Sequence, residues 1–510
     1  MSPRFISEHA TKYNYFCAIT VCTGSLLWGY DSGIFATAQA QEYFEIKFHP
    51  SPSILGAIIS TYTAGGAVGC LFSWPIGHRA GRRGTMRIGG VIAIIGTTLQ
   101  TAAVNVGMLI TGRLIAGLAI GIIYFAIPQY QSEIAPPEHR GSIVGLHPQF
   151  IGFGYALSNW IGFAVSYSHG QFTYAFPVGL QILWAVILLV CTFFLPESPR
   201  FLIEQSRNED AFNIMKRFRK GDEAYVRKEF KQMVDQINWE QENEVSSIVG
   251  IMRKPSYRKR LFLGCFVQFA QQICGISAIN YYQTKMYVSL GIRGPTVLAL
   301  AGVWGLTGPL ANLFCLAFVI DRVKRRTMFI WGSFGMALDI SIVMAIVAIY
   351  SGGPNTVANS FGVVFLILFG VIFSLSWNAG APVYCTEIFP QNIRATGGAI
   401  GTFMSFLVQV ILAQASPTAL NNVGWQVVQW LHSYRIRSLM TSRRYYIFFL
   451  VLNLFCAACV WFLLPETFGK SLEEVSEVFG DTFVTIHMDD AVPAEKLQVT
   501  NRVEGVELKA

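Results

Sequence analysis

Residues Gln271 to Tyr282 read QQICGISAINYY, inside an apolar segment that begins just after the basic run Arg258, Lys259, Arg260. Two adjacent glutamines, a glycine, a serine, an asparagine and a tyrosine pair stand where hydrocarbon-facing residues belong. Burying that many amides and hydroxyls in a membrane costs free energy unless they face a polar cavity or one another. The stretch therefore reads as one wall of a solute path.

The rest of the chain supplies the membrane. Of its 510 residues 53% are hydrophobic and only 13% charged, and the mean hydropathy is +0.44, values of a polytopic membrane protein. The net charge of +8 is spread in short Lys and Arg runs between apolar segments, which fits orientation in a bilayer and gives nucleic acid no footprint. Most of the ten cysteines, among them Cys17, Cys22, Cys70, Cys191, Cys265, Cys274, Cys315 and Cys456, fall in apolar segments. There a cysteine behaves as a small hydrophobe, and neither a disulfide framework nor a metal site is implied. Cys456 and Cys459, one turn apart, read as packing residues. The first apolar segment has no cleavage site and reads as a spanning helix, not a removable signal.

Spanning takes roughly 20 apolar residues. Twelve segments qualify, near 15–35, 54–74, 86–104, 108–130, 143–166, 174–195, 261–286, 297–320, 327–350, 361–384, 397–417 and 446–464. The expected fold is an all-α polytopic membrane protein whose 12 transmembrane helices form two six-helix bundles, 15–195 and 261–464, around a central path. A linker, 196–260, joins them, preceded by an N-terminus at 1–14 and followed by a tail at 465–510 whose last thirty or so residues read as disordered. Arg79, Arg82, Arg83 and Arg87 lie between segments 2 and 3, and Arg322, Lys324, Arg325 and Arg326 between 8 and 9. The loops at 36–53, 105–107, 167–173 and 351–360 hold only Lys47. Both termini and the linker are thus expected to be cytoplasmic. Within the linker, 207–220 and 222–241 have helical spacing of apolar residues among charges and are expected to be amphipathic helices.

The halves repeat one another. GHRAGRR (77–83) answers to IDRVKRR (320–326), PQYQSEIAPPEHRG (128–141) to PVYCTEIFPQNIRATG (382–397), and PESPRFL (196–202) to PETFGKSLEE (465–474). Carboxylates and arginines thus recur at corresponding helix ends, the arrangement an ion-pair latch between two bundles requires. Charges that merely mark helix ends are the plainer alternative.

With these motifs the chain resembles the sugar porter family of the major facilitator superfamily, its fungal-type members included, over approximately residues 15 to 475. The resemblance implies the major facilitator fold and a cytoplasmic latch of Arg79, Arg82, Arg83, Glu133, Arg140, Glu197 and Arg200 with Asp321, Arg322, Glu387, Arg394 and Glu466. His78 stands where the family usually has an acid. It implies that Gln271, Gln272 and Asn312 contact substrate and that Tyr281 and Tyr282 help close the outer side. Neutral amides suit such a solute, because they satisfy hydroxyls bidentately without burying charge. Ser277 replaces a family asparagine. Pro148 replaces a glutamine, with His147 and Gln149 beside it. Trp377 keeps an aromatic position while Asn378, Ala379 and Pro382 depart from the pattern, and Phe406 and Gln409 match an aromatic and an amide. Gln149, Ser277, Asn280, Trp377, Phe406 and Gln409 complete the expected substrate-binding set. Polar groups that only bond helix to helix are the structural alternative.

Asp31, in WGYDSG, and Arg113, in GRLIAG, are buried charges of opposite sign, tolerable as a pair. Matching residues form the proton-coupling pair in proton-coupled members of the family. The expectation is symport of a monosaccharide or similar small polyhydroxylated solute across the plasma membrane, by a monomer that makes or breaks no bond and uses no cofactor. A uniport facilitator, a carrier of another polar metabolite in either direction and a non-transporting sugar receptor stay open. Asp339 has no role in this reading. Residues 426–443 depart from the family as an insertion, putting Arg435, Arg437 and Arg443 in a loop expected outside. An unspliced intron is one origin, and a transcript lacking those codons would establish it.

Overall fold

The computed structural model describes residues 11–136, 143–219, 223–242, 248–320, 322–350, 356–422, 443–468 and Phe479. The first half begins with α1 (Lys12–Ala38), whose start is capped by the Thr11 side chain accepting from the Asn14 amide. A short α2 (Glu42–Phe48) follows. Helix α3 (Pro52–Thr101) starts with Ser51 as cap and Pro52 in its first turn, and is bent at Gly81, whose φ of 76° and ψ of 175° are not helical. It therefore supplies two of the twelve expected spans. Helices α4 (Val106–Ile134), α5 (Leu146–Val165) and α6 (Phe172–Phe194) complete the half.

The linker holds α7 (Pro199–Glu204), α8 (Asn208–Phe218), α9 (Glu223–Glu242) and α10 (Ile248–Arg253). The two expected amphipathic helices are α8 and α9, while α7 and α10 were not anticipated. Arg219 ties the linker to the first half. It donates to the carbonyls of Ile134 and Ala135 at 2.8 and 3.2 Å and pairs with Glu229 at 2.8 Å, occupying acceptors that the end of α4 leaves free.

The second half comprises α11 (Pro255–Ile273), α12 (Ile276–Ser289), α13 (Pro295–Phe314), α14 (Arg325–Tyr350), α15 (Thr356–Phe373), α16 (Ala379–Ile388), α17 (Gln391–Asn422) and α18 (Arg443–Leu463). Widened π turns, Cys315–Val319 and Ser374–Asn378, follow α13 and join α15 to α16. The segment expected as one helix over 261–286 is instead broken between α11 and α12 at Gly275, which has φ of 109°. Insertion residues 426–442 and tail residues 469–478 and 480–510 lie outside the described residues.

Eight helical stretches among the described residues are long and apolar enough to cross a membrane. Helices α1, α5, the second part of α3 and α18 fall below that measure. The first two spend their length on buried polar groups, Asn14, Ser25, Asp31 and Thr37 in α1 and His147, Gln149, Ser158 and Asn159 in α5. Their polarity faces inward, while Phe194, Trp331 and Phe462 project outward, 70 to 81% exposed, as a lipid-facing surface does. Helices α3 and α4 approach closely, for a Cβ on Gly117 would stand 2.0 Å from the Tyr62 carbonyl oxygen. Between the halves α3 packs on α17, α5 on α13 and α1 on α12.

Candidate functional site

Gly275 is what turns the QQICGISAINYY stretch into a site. Its left-handed backbone ends α11 after Gln271 and Gln272 and restarts the chain as α12 with Ser277, so polar side chains from both helix ends converge. The Cys274 carbonyl exposed by the break accepts from Asn453 Nδ2 of α18 at 3.0 Å. Gln272 Nε2 donates to Ser405 Oγ of α17 at 3.0 Å, and Ser277 Oγ donates to Gln272 Oε1 at 2.6 Å. Across the halves Asn312 Nδ2 donates to Gln149 Oε1 at 3.3 Å and Gln149 Nε2 to the Pro309 carbonyl at 3.2 Å. Asn378 Nδ2 reaches Asn312 Oδ1 at 3.5 Å. Gln271 and Gln409 are each 8% exposed, Gln409 one turn beyond Ser405 and Phe406.

Two expected substrate contacts sit differently. Trp377 stacks on Phe329 at 4.5 Å and donates Nε1 to Ser333 of α14 at 3.0 Å, so its indole lies in the core of the second half, apart from the amides. Its neighbour Asn378, carried round by the π turn, meets Asn312 instead. Asn280 Oδ1 is taken by Trp304 Nε1 at 3.0 Å.

Hydrogen bonds also cross between the halves at the charge-poor end. Gln39 Nε2 donates to the Tyr281 carbonyl at 2.5 Å, Tyr155 donates to the Asn280 carbonyl at 2.8 Å and Gln283 Nε2 to Tyr155 at 3.1 Å. Thr284 Oγ1 donates to the Ala36 carbonyl at 3.2 Å, also across the halves, and within the second half Tyr282 donates to the Ala413 carbonyl at 2.8 Å. Both tyrosines join Tyr30, Leu55 and Ile58 in one apolar cluster. That end is closed. Gln39 and Tyr155, which complete the closure, do not stand out in the sequence because each is a single polar residue at a helix end or beside a glycine.

Asp31 and Arg113 form a 2.7 Å salt bridge, 1 and 0% exposed. Arg113 Nε also donates to the Ile58 carbonyl at 3.0 Å, and the guanidinium lies 3.8 and 4.4 Å from the Phe35 and Tyr62 ring centres. Five N–H donors in a fixed fork and two aromatic faces make this a pre-formed cradle for a carboxylate.

At the charge-rich end the two halves show the same knot. In the first, Arg82 pairs with Glu133 at 2.8 Å and with Glu204 at 3.4 Å, Glu197 Oε1 accepts from the Arg82 and Arg83 amides at 3.1 and 3.2 Å, and Arg82 lies over Phe201. In the second, Arg325 pairs with Glu387 at 3.1 Å, Glu466 accepts from the Arg325 and Arg326 amides at 2.9 and 3.2 Å, and Arg325 lies over Phe468. Each carboxylate caps a helix start, and Gly81 leaves room for Glu197, whose Oε2 lies 2.6 Å from where a Cβ would be. Burial pushes the Glu197 carboxyl up, opposed by the Ser198 and Arg83 amides and the Arg82 charge.

These pairs differ from the expected latch in two respects. Each joins elements within one half, so they brace the bundles individually in this conformation. The second-half cation is Arg325, the counterpart of Arg82 in the repeated motif and not among the expected latch residues, whereas Arg322 and Arg79 are exposed. Arg83 donates to the Leu195 carbonyl at 2.9 Å, and Arg200 is half-buried. Arg140 and Asp321, and the side chain of Arg394, lie outside the described residues.

Comparison with known proteins matches the family described as "Sugar (and other) transporter" over residues 16–479. The chain is 32% identical to the MFS-type transporter criB of Aspergillus cristatus, across 97% of this chain and 98% of that one. It is 30% identical to the sugar transporter STL1 of Saccharomyces cerevisiae, across 92 and 82%. Among solved structures, the major facilitator superfamily proton:xylose symporter XylE bound to 6-bromo-6-deoxy-D-glucose superposes with a TM-score of 0.74 at 20% identity, covering 92% of this chain and 99% of that one. The inward-open XylE from E. coli gives 0.70 over 91 and 100%.

Proposed function

The chain belongs to the Sugar (and other) transporter family of membrane proteins, and on that premise we propose that it carries a monosaccharide or similar small polyhydroxylated solute by alternating access, coupled to a proton. The observation that carries the reading is the amide cluster between the halves. Gln149, Asn312 and Asn378 are donors and acceptors without charge, placed where α5 of one half meets α13 of the other, and Gln272 adds a fourth such amide, bonded to Ser405 and Ser277 within the second half. A solute hydroxyl can replace each side-chain partner, and only groups that trade partners in this way can both bind and release.

The charge-rich end is cytoplasmic by the positive-inside rule, in the plasma membrane, and the Tyr281–Tyr282 closure is then the outer gate. The bundles 15–195 and 261–464 move as bodies, each stiffened by its own Arg–Glu knot, while the linker rides on the first. Proton coupling falls to Asp31. Protonation removes the carboxylate charge, releases Arg113 and biases the bundle equilibrium by the difference in pairing between the two states. STL1 and XylE, named for sugar and proton:xylose transport, support this reading.

A second reading, a different polar metabolite on the same scaffold, is favoured by Ser277 and Asn378 in place of the usual site residues, and by criB, whose name specifies no sugar. Uptake of labelled hexoses, pentoses, polyols and hydroxy acids in transport-deficient cells, with and without an uncoupler, decides between them. Concentrative, uncoupler-sensitive uptake of a neutral polyol is expected, and a panel in which no neutral polyol enters defeats it. Asp31→Asn is expected to abolish accumulation against a gradient while sparing exchange. Persistent accumulation would remove Asp31 from the coupling role.

A further inference from the structure

Beside the amide cluster lies a buried imidazole with half of its hydrogen-bonding capacity unspent. His147 of α5 is 6% exposed. Its Nδ1 lies 2.7 Å from Ser25 Oγ of α1, while Nε2 is buried without a hydrogen-bond partner among the described residues. The ring sits 5.0 Å from that of Tyr124. Tyr124 meets Trp28 at 4.6 Å and Phe406 at 5.9 Å, both edge-on, and Trp28 lies 6.1 Å from Phe406. The rings of His147, Tyr124 and Trp28 belong to the first half and that of Phe406 to the second, so this aromatic box spans the junction between the halves. Ser405, next to Phe406 in the chain, holds Gln272, and His147 stands two residues before Gln149 on α5, so the same two helices serve both the box and the amides.

A buried nitrogen that lacks a protein partner is costly, and in native proteins such a group marks strain, a bound water or ion, or a functional contact. Resting on the transport reading above, we propose that His147 is a specificity-determining residue. Its Nε2 takes one ring hydroxyl of the solute, the C–H face of that ring lies against Trp28, Tyr124 and Phe406, and Ser25 holds the imidazole in place. A hydroxyl is the matching group because it serves either tautomer. With Ser25 donating to Nδ1, Nε2–H donates to the solute. With Nδ1–H donating to Ser25, Nε2 accepts from it. A carboxylate would serve only the first arrangement. Gln149, two residues on, already spends its amide on the Pro309 carbonyl and Asn312, so that a solute displaces a partner there whereas Nε2 of His147 has none to displace.

Two substitutions separate the ligand contact from the strut. Asparagine places its amide near Nδ1, keeping the Ser25 bond and deleting Nε2, whereas glutamine reaches the Nε2 position and forgoes Ser25. The full-length protein and each variant are assayed for uptake of labelled D-glucose, D-xylose, glycerol and myo-inositol, with surface expression measured alongside. For the best wild-type substrate, His147→Asn is expected to raise KM about tenfold with Vmax within about twofold, and His147→Gln to stay within about threefold of wild-type KM. One monodeoxy analogue of that substrate should compete equally well against wild type and His147→Asn. The opposite order, Gln impaired and Asn normal, makes His147 a strut between α1 and α5 and overturns the proposal, as does an unchanged KM in both. Absence of uptake of every probe by the wild type defeats the transport reading and this inference with it.

Discussion

Asp339, on α14, is 3% exposed, and neither carboxylate oxygen has a hydrogen-bond partner among the described residues. A buried polar group left unpaired costs about 1–3 kcal/mol, and α14 lies outside the helices that supply the amide cluster. Asp339→Leu is therefore expected to raise thermal stability by about that amount while leaving uptake unchanged, checked by melting the purified protein and by initial rates. Loss of uptake with stability intact would give Asp339 a transport role. The contrast with Asp31 shows what was legible at this scale. A charge in an apolar segment is rare enough to be noticed, and a cation elsewhere in the same half suggested the pair that the structure closes at 2.7 Å. Trp377 was not legible in the same way, because its direction depends on the π turn at Ser374–Asn378, which adds a residue to the helical period. The exchange of Arg322 for Arg325 has a simpler cause, as all four candidates are basic and only the structure shows that α14 begins at Arg325, where its amide meets Glu466.

At the scale of the element, the break at Gly275 organises more than any helix does. An alanine there would have to hold φ of 109°, and its Cβ would lie 2.7 Å from Phe449 Cδ1. Backbone strain of this kind costs about 1–3 kcal/mol, and relief by continuing the helix would rotate Ser277, Asn280 and the gate tyrosines away from their partners. Gly275→Ala is expected to lower stability by at least ~1 kcal/mol and to reduce uptake more than tenfold. The same change at Gly398, with nothing within 4 Å of its Cβ, is expected to be neutral or stabilising by up to about 1 kcal/mol. Thermal melts and uptake at matched surface expression check both. The sequence showed the apolar length of this segment but hid the break, since a lone glycine in a membrane helix usually serves close packing. Amphipathic spacing did expose α8 and α9, because charges frame their apolar stripes. The short α7 and α10 are one or two turns long, below the window in which periodicity accumulates.

For the whole molecule, the repeat of motifs carried the two-half architecture, and the corresponding Arg–Glu knots explain why those motifs recur. Each needs a carboxylate to accept two backbone amides at a helix start and an arginine beneath it. What the repeat does not encode is which end of the path is shut, for that depends on single contacts between dissimilar helices. Gln39, Tyr155 and Gln283 make three hydrogen bonds across the charge-poor end. At about 1 kcal/mol each, they bias the closed state by roughly a hundredfold in population, since 1.4 kcal/mol is tenfold. Removing them in a Gln39→Ala, Tyr155→Phe double variant should release that share of the bias, leaving the apolar packing of Tyr281 and Tyr282 together with the bond from Thr284 to the Ala36 carbonyl and the bonds of Gln414 to Ser60 and the Ser53 carbonyl. Spin labels at the exposed positions Tyr167 and Arg293, one on each half, are expected to report a shift toward longer distances in the variant, with the salt bridge of Asp31 and Arg113 untouched. A distance distribution that stays unchanged would place the closing energy in the apolar cluster and the Thr284 and Gln414 bonds, and the bonds of Gln39, Tyr155 and Gln283 would then set only the register in which the two halves meet.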